Sequence, residues 1–199
     1  MPAFGPDVTL NDPAFIHPTA HVYGKVTIED GASLWVNVVI RAENFEVRVG
    51  PSTNIQDFVM IHVGGGTGAY VGAHCSITHH CTLHGCTIGD NCLIGINATI
   101  MDGCVIGDNC IVAGGAFLIE RTIIPDNSIV MGIPGKVVRT RNNWIANRFN
   151  AHLYEVNARA FDEGRHRAWD DAAVLSASQE KMDELRAEFE TLFGVQASG

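Results

Sequence analysis

The stretch TIGDNCLIGINATIMDGCVIGDNCIV, residues 87–112, places an apolar side chain at every sixth position: Ile88, Ile94, Ile100, Ile106 and Val112. The series runs on through Leu118 and Ile124 to Val130. Upstream, offset by one residue, stand Val71, Ile77 and Leu83; before them come Val49, Ile55 and Ile61, and first Ile16, Val22, Ile28, Leu34 and Ile40. An α-helix repeats at about 3.6 residues and an ordinary strand at about 2, so neither sustains this period. A parallel β-helix does, because each hexad forms one short strand and one corner. Glycine or asparagine returns beside the apolar residue, as in the two IGDNC segments, and both types tolerate the left-handed backbone that sharp corners need. The rhythm predicts an all-β solenoid over residues 12–135, interrupted by two loops, RAENFEVRVG (41–50) and HVGGGTGAY (62–70).

The pattern resembles the hexapeptide-repeat proteins, whose solenoid is left-handed with three faces. Left-handedness is implied by the resemblance, since spacing alone does not set the hand. After MGIPGKVV the rhythm stops, and a C-terminal extension, 136–199, follows. Residues 141–161 and 170–194 read as α-helices, the second with Met182, Leu185, Phe189, Leu192 and Phe193 at helical spacing. That helix is expected to pack on the solenoid or on a neighbouring subunit.

Composition narrows the partners. The formal net charge of −9 over 199 residues argues against nucleic acid and against an anionic membrane surface. No apolar run approaches the roughly 20 residues that span a bilayer. The first residues, MPAFGPDVTLNDPAF, carry acids and prolines where a signal peptide carries bases and an apolar stretch. A cytoplasmic protein is expected. All six cysteines fall on the repeat, which stacks Cys86 with Cys104 and Cys92 with Cys110. No CxxC spacing marks a metal or redox pair, so they are read as reduced, small apolar fillers of a narrow interior.

Nine histidines are many for this length. His17, His21, His152 and His166 are read as solvated or hydrogen-bonded residues. His62, His79 and His84 fall within about one coil of one another, and three imidazoles with an open position suit a catalytic metal.

Three segments, LWVNVVIRAEN (34–44), STNIQDFVMIH (52–62) and ITHHCTLHGCTIGDNCLIG (77–95), resemble the γ-class carbonic anhydrases and their relatives. The resemblance implies a homotrimer with metal between subunits, His62 and His84 of one chain meeting His79 of the next. His80, where asparagine is usual, and His74 are non-ligands in this reading. Arg41 and Glu43 match an arginine–acid pair that orients the site. Gln56 and Asp57 match residues supporting the reactive solvent, and Asn54 is expected at a corner. The implied reaction is reversible hydration of CO2 to bicarbonate with Zn2+, or with Fe2+ or Co2+. The acidic loop after the first ligand is replaced by VGGGTGAY, and Asn44 stands in place of a second acid, so His80 or Tyr154 is the candidate proton shuttle. The segment NAHLYEVNARAF (150–161) is similar to the phenylacetate- and carnitine-pathway branch, which keeps acyl-CoA thioester hydrolysis open. A plain CoA-dependent acyltransferase and a non-catalytic metal-binding trimer stay open as well.

Overall fold

A computed structural model of the chain describes residues 3–194; the end of the expected tail, 195–199, lies outside the described residues. The hexads form a left-handed parallel β-helix of about seven turns. Its first face stacks Leu34, Ile55, Ile77, Ile94, Val112 and Val130 in register. Its second stacks Ile40, Ile61, Leu83, Ile100 and Leu118, and its third Ile28, Val49, Val71, Ile88, Ile106 and Ile124. These columns point inward and make one continuous core in which nearly every member is fully buried. Each coil buries its apolar edge only against its neighbours, so the stack is stable as a whole rather than coil by coil.

The corners account for the glycines and asparagines. At one corner Ser52, His74, Asn91, Asn109 and Asn127 all take a left-handed backbone; at another Asn37, Phe58, His80 and Asn97 do so. His74 and His80 are therefore corner residues standing where asparagine is the less strained choice. Arg121, at the third corner, has φ of 62° where Gly85 and Gly103 occupy the coils before it. A side chain with a Cβ costs about 1–2 kcal/mol in this conformation. Arg121→Gly is expected to raise the unfolding free energy by about 1 kcal/mol, read as a higher midpoint in urea. Gly50, Gly72, Gly89 and Gly107 answer a different need. A Cβ on Gly72 would come within 2.6 Å of the Gly89 backbone, and one on Gly50 within 2.5 Å of Gly72. The coils touch backbone to backbone there.

The cysteines fill interior space, as their spacing implies: all six are free and buried. Cys75, Cys92 and Cys110 form one column and Cys86 and Cys104 another, following the strand register. Burial pushes the Cys81 thiol up to about 11 and Cys86 to about 12, and the thiolate is the reactive form. Thiol reagents at pH 8 are expected to label none of the six in the native protein and all six in denaturant.

The chain departs from the expected boundaries in three places. Residues Ala3–Phe4 and Val8–Leu10 already pair with the strand His21–Ile28, so the solenoid begins before residue 12. Phe4 and Leu10 continue the six-residue series backwards, but the prolines around them obscure it. At the other end Lys136–Thr140 forms an antiparallel strand on Ser128–Met131 before the helices start. The expected loop 41–50 is instead one strand, Val39–Val49, that rounds a corner. It pairs Ala42 with Gly24 and Val47 with Val26, leaving Glu43–Glu46 opposite Lys25 alone as an outward bulge. Residues 63–68 do leave the coil, between the strands Met60–His62 and Ala69–Val71.

Helix α1 (Trp144–Asp162) lies across the first face. Phe15 and Trp35 of the coil pack there against Ala158, Tyr154 and Phe161. Asn147 adds polar anchors, its Nδ2 donating to the carbonyls of Asn91 and Cys110. Helix α2 (Ala172–Phe193) packs on α1 rather than on the solenoid, burying Leu185 and Phe189 against Trp144. Asp171 caps its first turn, accepting from the Ala173 N–H. Leu192, although at helical spacing, stays exposed. Among the described residues, no helix is long and apolar enough to cross a membrane.

Candidate metal centre

Every irregularity in the six-residue rhythm falls at the corner between the second and third faces. The bulge Glu43–Glu46 and the loop 63–68 leave the coil there. A third irregularity, the tight turn at Gly85, shortens the coil so that Leu83 pairs with Ile100. His62 and His84 end adjacent strands at this corner and are in register. Their rings tilt across each other at a centroid distance of 5.0 Å, with His62 Nδ1 3.0 Å from His84 Nε2.

The outer ring nitrogens have carboxylate partners. His62 Nε2 lies 3.0 Å from Glu43 Oε2, and His84 Nδ1 lies 2.5 Å from Asp102 Oδ1. A carboxylate there favours the N–H on the outer nitrogen and leaves the inner nitrogen as a lone pair. Two imidazole lone pairs then face each other, an arrangement that suits a cation between them. Two nitrogens on a tetrahedral zinc at about 2.05 Å stand about 3.3 Å apart, so accommodating the ion needs the rings to part by only a few tenths of an ångström. The donor set fits a divalent metal.

Glu43 holds more than the sequence implied. It pairs with Arg41, as expected, and also reaches His62, so one carboxylate ties the arginine to the imidazole. Desolvation opposes its ionised form. Hydrogen bonding from its own backbone together with the Arg41 and His62 charges outweighs that, holding the carboxyl below its ordinary range.

Asp102 escapes the sequence reading. It sits one coil beyond His84, and a Cβ on either Gly64 or Gly85 would come within 2.5 Å of its Oδ1. Those two glycines make the room that lets Asp102 reach the imidazole. The available signal is Gly64 of VGGG and Gly85 of HGC on the coils before an aspartate, legible only once the short turn is known. Asp102→Ala is expected to weaken metal binding about 10–100-fold, measured by competition with a chelator.

His79 does not join this pair within one chain. It lies at the opposite corner, between the first and second faces, where its Nδ1 is 2.9 Å from Asp57 Oδ2. It repeats the pattern of its two counterparts, with one nitrogen on a carboxylate and the other free. Among the described residues, no three His, Cys, Asp or Glu side chains converge to hold an ion. Phe58 and His80 stack flat against each other beside this corner, ring centroids 4.8 Å apart.

The remaining candidates divide. Asn54 is not at a corner; it lies on the strand Asn54–Ile55 of the first face, under α1, and is 1% exposed. Gln56, equally buried, donates from Nε2 to Asn54 Oδ1 at 2.9 Å. Tyr154 belongs to α1 and packs edge-on against Trp35 and Trp169. Burial, aided by the Asp57 charge, pushes its phenol above the ordinary value. It therefore stays protonated at neutral pH, and the Asp57 charge that acts on it places it on the side of the chain that carries His79. Asn44 projects on the exposed bulge beside Phe45 and Glu46.

Residues 85–120 match the bacterial transferase hexapeptide family, described as six repeats. Over 120 residues the chain is 51% identical to a probable carbonic anhydrase of Methanocaldococcus jannaschii, covering 60% of this chain and 76% of that one. It is 32% identical over 108 residues to the mitochondrial gamma carbonic anhydrase 2 of Arabidopsis thaliana, covering 51% of this chain and only 39% of the plant protein. Among solved structures, a hexapeptide transferase family protein from Anaplasma phagocytophilum superposes with a TM-score of 0.74 at 28% identity, covering 80% of this chain and 96% of that one. With a solenoid of this kind and a relative this similar over three-quarters of its length, the chain belongs to the γ-class carbonic anhydrase family of hexapeptide-repeat proteins.

Proposed function

We propose that this protein is a homotrimeric metalloenzyme that interconverts CO2 and bicarbonate. The metal would be held by His62 and His84 of one subunit and His79 of the partner subunit. The observation that carries the reading is the repeated imidazole–carboxylate pairing: Glu43 on His62, Asp102 on His84 and Asp57 on His79, each leaving one nitrogen free. Structural histidines have no need of that pattern three times over, whereas metal ligands use it to set tautomer, orientation and basicity.

The positions of the two halves support a trimer. His79 and Asp57 stand at one edge of the second face, His62 and His84 at the other. A threefold arrangement with this face inward brings one edge of each subunit to the other edge of its neighbour. The face suits burial: Val39, Met60, Met101 and Phe117 are already half-buried, and Tyr23 and Ile119 are exposed.

Zn2+, Fe2+ or Co2+ at this site supplies the Lewis acidity that makes water a nucleophile at neutral pH. The protein's own groups do the rest. Glu43, Asp102 and Asp57 hold the outer nitrogens of His62, His84 and His79 and so turn the other nitrogen of each ring towards the ion. Gln56 engages Asn54 through Nε2, which leaves Oε1 to accept a hydrogen bond from the attacking water and aim it. Arg41 holds Glu43 in place through the exposed ion pair. The loop 63–68 carries no carboxylate, so external buffer takes the released proton.

The test is stopped-flow CO2 hydration with metal content quantified, on wild type and on His84→Ala. One ion per subunit and hydration lost in the variant are the expected results. A full metal site without hydration would redirect the chemistry towards a thioester substrate, and a metal-free active protein towards acyl transfer.

A further inference from the structure

A run of buried amides and a hydroxyl leads from Gln56 to the C-terminal helix. Gln56 Nε2 donates to Asn54 Oδ1 at 2.9 Å, Asn54 Nδ2 donates to Ser76 Oγ at 3.0 Å, and Ser76 Oγ donates to Asn150 Oδ1 at 2.8 Å. Gln56, Asn54 and Ser76 are each 1% exposed. Asn54 and Ser76 face outward from the first face of the solenoid, paired across adjacent coils, and α1 lies over them. Asn150 is the helix residue that meets them.

We infer that α1, through Asn150 and Ser76, is the positioning element that holds the Gln56 amide in the orientation the coil backbone selects, Oε1 towards the reaction site; the inference rests on the reading of Gln56 given above. The polarity of the chain is forced. Asn54 Nδ2 also donates to the Cys75 carbonyl at 3.2 Å, and a backbone carbonyl can only accept. That locks the Asn54 NH2 towards the coil above and turns its Oδ1 to Gln56. Gln56 must then present Nε2 to Asn54 and keep Oε1 free, and among the described residues no donor reaches that oxygen. Ser76 completes the lock. With Asn150 accepting, its hydroxyl proton points at the helix and its lone pair receives Asn54. Without Asn150, that proton is free to turn back on Asn54 Oδ1 and compete with Gln56. In a water-excluded setting each such bond is strengthened by its neighbours, so the loss at one end is felt at the other.

The tail thus has a role in the site although it supplies no group to it. Asn150 is a positioning residue: it acts on Gln56 through two intermediaries.

The experiment compares Asn150→Leu, Ser76→Ala and Asn150→Asp in the full chain, the aspartate retaining an acceptor for Ser76. Two quantities are read. One is the side-chain amide signal of Gln56 in 1H–15N spectra, assigned by its disappearance in Gln56→Glu. The other is the kcat and KM for CO2 hydration of the metal-loaded protein. Asn150→Leu and Ser76→Ala are expected to shift the Gln56 amide pair and speed its solvent exchange. They should lower kcat about 10-fold with KM and metal content unchanged, and Asn150→Asp should restore both quantities. Far-UV circular dichroism and the urea midpoint identify any variant that has lost the helix, and Asn150→Asp, which keeps the contact, remains the arbiter. A Gln56 amide signal identical in wild type, Asn150→Leu and Ser76→Ala would overturn the inference. Absence of hydration in the wild-type protein would instead overturn the proposed reaction, leaving the amide signal to decide the relay independently.

Discussion

Co-assembling equal amounts of His79→Ala and His62→Ala protein is expected to restore about a quarter of the wild-type metal content and CO2 hydration, although each variant alone is empty and inactive. A complete site needs an intact His62–His84 pair on one subunit and an intact His79 on the next. In a randomly mixed trimer that coincidence has a probability of one half for each subunit, hence about a quarter of the sites. The expectation follows from geometry: one chain brings His62 and His84 to 3.0 Å but keeps His79 at the opposite edge of the face. Restoration near zero would mean that the three histidines do not share an ion across subunits. Metal retained by either variant alone would remove the replaced residue from the ligand set.

Leu83→Ala is expected to destabilise the protein by about 2–5 kcal/mol, seen as a lower urea midpoint at fixed protomer concentration. Leu83 is fully buried, stacked between Ile61 and Ile100 in the second-face column. The coils around it are held by backbone ladders on both sides, so they cannot collapse into the vacated volume. The same substitution loosens the strand that carries His84, the next residue, and metal affinity should fall with stability. An effect below about 1 kcal/mol would mean that the core relaxes more freely than a close-packed stack allows.

These two expectations draw on different amounts of what could be read from the chain. The column containing Leu83 is visible in the primary structure because the solenoid repeats a local unit: six residues make one strand and one corner, whatever lies far away. The corner glycines and asparagines, the buried cysteines and the arrest of the rhythm before α1 follow from the same local rule. His62, His79 and His84 were singled out by resemblance, and Gln56 and Asp57 with them.

Other features depend on how many residues each coil spends at its corners, which periodicity does not report. Four residues bulge at Glu43–Glu46, and one is omitted near Gly85. Those departures carry Glu43 onto His62 and bring Asp102 beneath His84. A strict repeat would have placed neither. Asn54 looked like a corner because asparagine so often is one here; its burial under α1 reverses that reading. Tyr154, expected as a shuttle, packs between Trp35 and Trp169 at the helix interface, on the side that carries Asp57.

The amino-acid order was enough for the solenoid and the six apolar thiols, because a hexad buries its side chain against copies of itself and the needed information is local; the three faces and the hand came from the resemblance. Which carboxylate serves which imidazole, and which amide holds Gln56, was decided only by the tertiary structure. Those contacts join residues such as Ser76 and Asn150, or His84 and Asp102, through the stacking of unequal coils and the docking of a helix, and no local pattern records where such pairs will meet.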